Sequence, residues 1–143
     1  MKQLSQHIKV GAIGEDIACE FLRKKGLTVI ERNFRRKWGE LDIVAREKSG
    51  NIVFIEVKTI RQSGNSADSA NSLQAFSWIR PEDNLTKSKL KKLQRTASLY
   101  MGNYKSDAGW RIDLIAITIH GSISGDLANI MKDCEIKYFE NIS

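Results

Sequence analysis

Glu40 and Asp42 sit at the head of one apolar segment, GELDIVA, and Glu56 and Lys58 at the tail of the next, IVFIEVK. Carboxylates and an ammonium placed where burial makes charge expensive need a compensating partner. A divalent cation supplies one, because Mg2+ or Mn2+ takes oxygen ligands, commonly one or two carboxylates with waters and a substrate phosphate oxygen. Lys58 would then stand beside the metal, able to orient a water or to stabilise charge developing on a phosphate. The alternative is an ordinary cross-strand ion pair among Asp42, Glu56 and Lys58 on a solvated face. Against it, IVFIEVKTI is apolar on both sides of its charges and reads as a central strand.

Such chemistry needs elements to hold it. Residues 10–25, VGAIGEDIACEFLRKK, space Ile13, Ile17, Ala18, Phe21 and Leu22 along one helical face, and Gly26 follows as a stop. Glu15 lies about 20° from Leu22 around that helix, at the border of the apolar stripe, where a long side chain reaches the sheet edge. As an early-turn acid it would equally complement the helix dipole. Leu27–Glu31, Leu41–Ala45 and Ile52–Thr59 read as antiparallel neighbouring strands, the last two joined through Lys48-Ser49-Gly50-Asn51. Alternation puts Glu40 with Asp42, and Phe54, Glu56 and Lys58 together; a register that sets Asp42 against Glu56 or Lys58 brings their Cβ atoms within about 5 Å.

The stretch 62–77, QSGNSADSANSLQAFS, lacks apolar periodicity and predicts a mobile loop extending to about residue 83. A second helix is expected from Leu85 to Tyr100 with Leu90, Leu93 and Ala97 inward, then a buried strand over Arg111–Ile119 and a last one over Glu135–Phe139. At 143 residues the chain fits one domain.

A net charge of +6 favours an anionic partner, nucleic acid first and membrane surface second. Arg32, Arg35, Arg36 and Lys37, with Trp38, form a basic loop beside the acidic strand, a combination suited to phosphates and an unstacked base. Lys87, Lys89, Lys91, Lys92 and Arg95 cover the faces of the second helix that Leu90 and Leu93 leave free. The two cysteines, Cys19 and Cys134, and the two histidines, His7 and His120, have no metal-ligand spacing, which excludes a zinc signature. No apolar run approaches a membrane span and the N-terminus lacks a secretory h-region, so a soluble cytoplasmic chain is expected.

The succession GAIGEDIACEFLRKKG, ERNFRRKWGELDIVA, IVFIEVK, KLKKLQRTASLYM and RIDLIAITI resembles the YraN-type family of small bacterial proteins. That family belongs to the PD-(D/E)XK nuclease superfamily and is similar to archaeal Holliday junction resolvases. The resemblance covers most of the chain. It implies an α/β restriction-endonuclease-like core, a central mixed β-sheet flanked by helices. It further implies a Mg2+- or Mn2+-dependent endodeoxyribonuclease acting on DNA, branched or recombination intermediates included, and a homodimer, because two symmetric nicks need two sites. Carried over residue by residue, Asp42 and Glu56 become the metal ligands with the Val57 carbonyl beside them. Lys58 activates or orients the attacking water, Glu15 is the helix-borne outer carboxylate, and Glu40 of GELD is a signature residue next to the ligands. Lys89 matches a lysine of the family's second helix. Where the family carries an arginine two residues after Lys58, this chain has Ile60 and then Arg61, and the aromatic-glycine pair usual in the following segment is missing. A non-catalytic nucleic-acid-binding module with the same fold, or a protein-interaction adaptor, are the competing readings.

Overall fold

The structure is a computed structural model and describes residues 2–62, 85–104 and 106–143. The loop expected over 62–83 therefore lies outside the described residues, Gln62 excepted. Along the chain run α1 (Lys2–Lys24), β1 (Thr28–Arg36), β2 (Gly39–Arg46), β3 (Ile52–Arg61), α2 (Lys87–Asn103), β4 (Trp110–Ile119), α3 (Leu127–Lys132) and β5 (Cys134–Phe139). The strands form one sheet in the order β1-β2-β3-β4-β5. β1, β2 and β3 pair antiparallel, β3 and β4 parallel, and β4 and β5 antiparallel. This mixed sheet flanked by helices is the α/β arrangement the resemblance implies.

The two faces of the sheet are covered by different helices. Ile17, Ala18, Cys19 and Leu22 of α1 pack with Ile43, Ala45, Val53, Ile55, Ile115 and Ile117. Leu93 and Ala97 of α2 pack with Phe34, Val44, Phe54 and Ile112 on the other face. Because a strand alternates its side chains, β3 sends Val53 and Ile55 to α1 and Phe54 to α2, and so belongs to both cores. Among the described residues no helix is long and apolar enough to cross a membrane.

Both helices touch the sheet at a glycine. A Cβ on Gly14 of α1 would overlap the Thr59 side chain of β3, and one on Gly39 of β2 would overlap the Thr96 hydroxyl of α2. At these two points backbone lies directly against a side chain, which brings α1 and α2 in at close range on either side of the acidic strands.

Several boundaries differ from those expected. α1 begins at Lys2 rather than near residue 10, and ends as expected, with Gly26 at φ 92 and the Leu27 amide donating to the Leu22 carbonyl at 3.0 Å. β1 continues to Arg36, so the basic segment Arg32–Arg36 is strand rather than loop, and only Lys37 and Trp38 form the turn into β2. The cause is pairing: Arg35 and Arg36 stand opposite Glu40 and Gly39. The short helix α3 was not expected; Asp126 caps it, its carboxylate accepting from the Asn129 amide at 2.9 Å.

A second set of charges is buried away from the acidic strands. Asp113 of β4 is 0% exposed and accepts hydrogen bonds from Arg111 Nε at 3.0 Å, from the Asn141 amide at 2.8 Å and from the Tyr138 hydroxyl. Arg111 also holds Glu47, in the turn between β2 and β3. That turn closes with the Gly50 amide donating to the Glu47 carbonyl at 2.9 Å, Gly50 taking φ 96.

Candidate active site

The sheet forks where the carboxylates stand. β2 pairs with β3 from Arg46↔Ile52 only as far as Ile43↔Ile55, whereas β3 goes on pairing with β4 to Arg61↔Ile119, and β2 with β1 to Gly39. Asp42 and Glu56 are the first residues past the last β2–β3 pair. In place of a ladder bond the Asp42 carboxylate accepts a hydrogen bond from the Val57 amide at 2.9 Å.

The sequence register that would set Asp42 opposite Glu56 is therefore the one found. The two carboxyls lie within hydrogen-bonding reach of each other, and the Asp42 carboxyl is pushed up to about 7. Burial is the largest cause and the Glu56 charge the next; the Val57 amide pulls the other way, and Glu40 adds to the rise. Among the described residues no three His, Cys, Asp or Glu side chains converge as a metal cage. The fit is to a hard cation bound by two carboxylates, with waters and a phosphate completing its shell.

The other charges divide into those the fold brings to this point and those it holds elsewhere. Glu15 reaches the site from α1: its carboxyl is raised by burial and by the Asp42 charge, and lowered by a hydrogen bond from Asn33 and by Arg32. Lys89 of α2 comes from the opposite face and lies 3.0 Å from Glu56, so one carboxylate of the pair already has a cationic partner. Burial lowers the Lys89 pKa, but Glu56 outweighs it and leaves the ammonium above its ordinary range. Lys58 is exposed on β3, and among the described residues it makes no ion pair with Asp42. The cross-strand ion pair considered for Asp42 and Lys58 is thus replaced by one between Glu56 and Lys89.

Of the basic segment, Arg32 turns toward α1, 2.8 Å from Asp16 and 3.6 Å from Glu15. Phe34 turns to the α2 core. Asn33 between them takes φ 52, and this left-handed residue lets its neighbours leave on opposite sides of the sheet. Arg35 lies 3.9 Å from Glu40, and the Arg36 guanidinium lies 4.3 Å over the Phe34 ring. Lys37 and Arg61 are exposed at the turn and at the end of β3. Asn33, Lys92 and Thr96 are further residues of this region that the motif reading did not assign to the site. An asparagine inside the strand-like run ERNFRR was the one available sign, since asparagine tolerates positive φ better than its neighbours.

Comparison with known proteins bears on these residues. A family model described as Uncharacterised protein family UPF0102 matches residues 14–117, a span holding the carboxylates and both lysines. A UPF0102 protein of Thermotoga petrophila is 37% identical over 107 residues, covering 75% of this chain and 84% of that protein. One of Mycobacterium ulcerans is 33% identical over 135 residues, covering 92% and 98%. One of Desulfitobacterium hafniense is 39% identical over 117 residues, covering 80% and 85%. Among solved structures, Pyrococcus furiosus SfsA in complex with Ca2+ aligns with a TM-score of 0.31 and 15% identity, over 95% of this chain and 64% of that one.

Proposed function

Since the chain belongs to the uncharacterised protein family UPF0102, the YraN family, we propose that it is a metal-dependent nuclease that hydrolyses DNA phosphodiester bonds. One observation carries the reading: Asp42 and Glu56 meet at the fork of the sheet, half-buried, with the Asp42 carboxyl driven up to about 7. Strongly perturbed carboxyls of this kind cluster at functional sites, and a bound cation would relieve their repulsion.

Asp42 and Glu56 would hold Mg2+ or Mn2+, with the Val57 carbonyl beside them. When bound, such a cation supplies Lewis acidity to a phosphoryl oxygen and a lowered pKa to a water. The Val57 amide keeps the Asp42 carboxylate aimed into the fork. Lys58, exposed two residues beyond Glu56, can orient a water or meet the charge that grows on the phosphate. Glu15 provides a further acceptor from α1, and Lys89 pairs with Glu56 until substrate and cation arrive. Arg35, Arg36, Lys37 and Arg61, all exposed, would meet phosphates of the bound strand. The chain would act as a homodimer if the two strands of a branched DNA are cut symmetrically.

The Lys89–Glu56 pair favours one other reading, a nucleic-acid-binding module whose Glu56 already has a cationic partner and which performs no turnover. Purified protein with linear, flapped and four-way DNA, in Mg2+ and in Mn2+, separates them. Divalent-dependent cleavage that disappears in Lys58→Ala supports the nuclease; tight DNA binding without cleavage on every substrate supports the module.

A further inference from the structure

Two cavities beside the acidic fork share Trp38 as a common wall. The larger, about 410 Å3, is lined by Trp38, Glu56, Lys89 and Lys92 among others, and so opens onto the site. The smaller, about 250 Å3, also has this ring in its wall and is lined besides by Glu31, Arg36, Asn103 and Tyr104. Trp38 itself is 39% exposed, though it is one of the largest apolar side chains in the molecule.

The ring is braced rather than loose. Its centroid lies 5.9 Å from that of Phe34, at a 55° tilt, and Phe34 is buried. The residue after it, Gly39, lies against the Thr96 side chain with no room for a Cβ, which pins the turn to α2. A braced aromatic ring with a cation in each of the two cavities it lines matches the chemistry of a nucleotide strand: a base stacks on the ring while its phosphates meet Lys92 in one cavity and Arg36 in the other.

A base inside a duplex has both faces covered by its neighbours and has no face to give to Trp38. Bringing it there requires extrusion, which costs least where the base is already unpaired. Resting on the nuclease reading, we infer that Trp38 receives an unpaired nucleotide next to the cleaved phosphodiester, so that the substrate class is DNA carrying an unpaired nucleotide and not intact duplex.

The test uses two linear duplex DNAs, one fully paired and one of the same sequence with a single unpaired 2-aminopurine inserted in one strand, whose fluorescence falls when it stacks. Binding is measured in EDTA with wild type, Trp38→Ala and Trp38→Phe, and cleavage in Mn2+ with wild type. The bulged DNA should bind at least about ten-fold more tightly than the paired one and lose fluorescence on binding. Trp38→Ala should abolish both the preference and the quenching, and Trp38→Phe should keep most of each; thermal melts confirm that the variants are folded. Equal affinity for the two DNAs, or quenching undiminished in Trp38→Ala, overturns the inference. Quenched binding without cleavage in Mn2+ supports the nucleotide pocket and removes the nuclease reading. Cleavage of both DNAs at equal rates does the reverse.

Discussion

The Asp42 carboxylate takes its hydrogen bond from the Val57 amide, 2.9 Å away on the neighbouring strand, at the point where a backbone carbonyl would otherwise stand. A side-chain carboxylate thereby replaces one rung of the sheet. Its protonation must then be felt in folding. The carboxyl is near 3.8 in an unfolded chain and about 7 here, so the folded state holds the extra proton between those values and stability falls as pH rises through that window. In EDTA the wild type should melt higher at pH 5 than at pH 8. Asp42→Asn keeps the acceptor and removes the charge, so its melting temperature should equal or exceed wild type at pH 8, by about 4 °C for each kcal/mol relieved, and should vary less with pH. An Asp42→Asn protein clearly less stable than wild type at pH 8 would count against the buried carboxylate pair.

Divalent-dependent cleavage should disappear in Asp42→Ala, Glu56→Ala and Lys58→Ala, while DNA affinity stays within a few-fold of wild type. Binding rests mainly on the attraction of basic side chains for phosphate. Gel cleavage and anisotropy on the same preparations check this, and an Asp42→Ala protein that still cuts would remove the site assignment.

Lys89 lies 3.0 Å from Glu56 and competes with any metal for that carboxylate. Lys89→Met should therefore lower the Mn2+ concentration at which the protein is half-stabilised against heat. An exposed pair is worth about 1 kcal/mol or less, so the shift should be about five-fold at most. A midpoint that moves upward would mean that Lys89 holds the site together instead of guarding it.

Gly14→Ala puts a methyl group into the Thr59 side chain. Forcing α1 away from β3 should cost about 1–3 kcal/mol and withdraw Glu15 from Asp42. Adding Thr59→Ala should restore part of the stability in thermal melts, which separates this close approach from a general effect of alanine in the helix.

Neutralising Arg35, Arg36 and Lys37 together should lower the slope of log affinity against log salt by about one unit for each phosphate that no longer meets a cation. An unchanged slope moves the DNA face elsewhere.

Much of this was legible in the sequence, for identifiable reasons. The core of β3 could be read because IVFIEV is apolar on both faces, and the hairpin narrowed the partner of Asp42 to Glu56 or Lys58, of which the structure has Glu56. Three features were hidden. The strand character of Arg32–Arg36 depends on pairing with Glu40 and Gly39, and a run of charges carries no periodicity to announce it. The Lys89–Glu56 pair joins a helix to a strand across 33 positions (89 − 56), a separation that local patterns do not address. The close approaches of Gly14 to Thr59 and of Gly39 to Thr96 arise only once helix and sheet are docked, though two glycines beside acidic motifs were visible as residues.

Arg111 grips Asp113 on β4 and Glu47 in the β2–β3 turn, about 17 Å of strand away from Asp42 at the usual rise per residue. Side chains alternate with a period of two, so a hairpin zipped one residue out of step would send Asp42 and Glu56 to opposite faces of the sheet. The arginine thus acts as an alignment peg, set at the end of the sheet remote from the Asp42–Glu56 fork. In a chain altered at Arg111, molecules zipped out of step would hold Asp42 and Glu56 apart, and any activity of the proposed site would fall with the share of molecules so zipped.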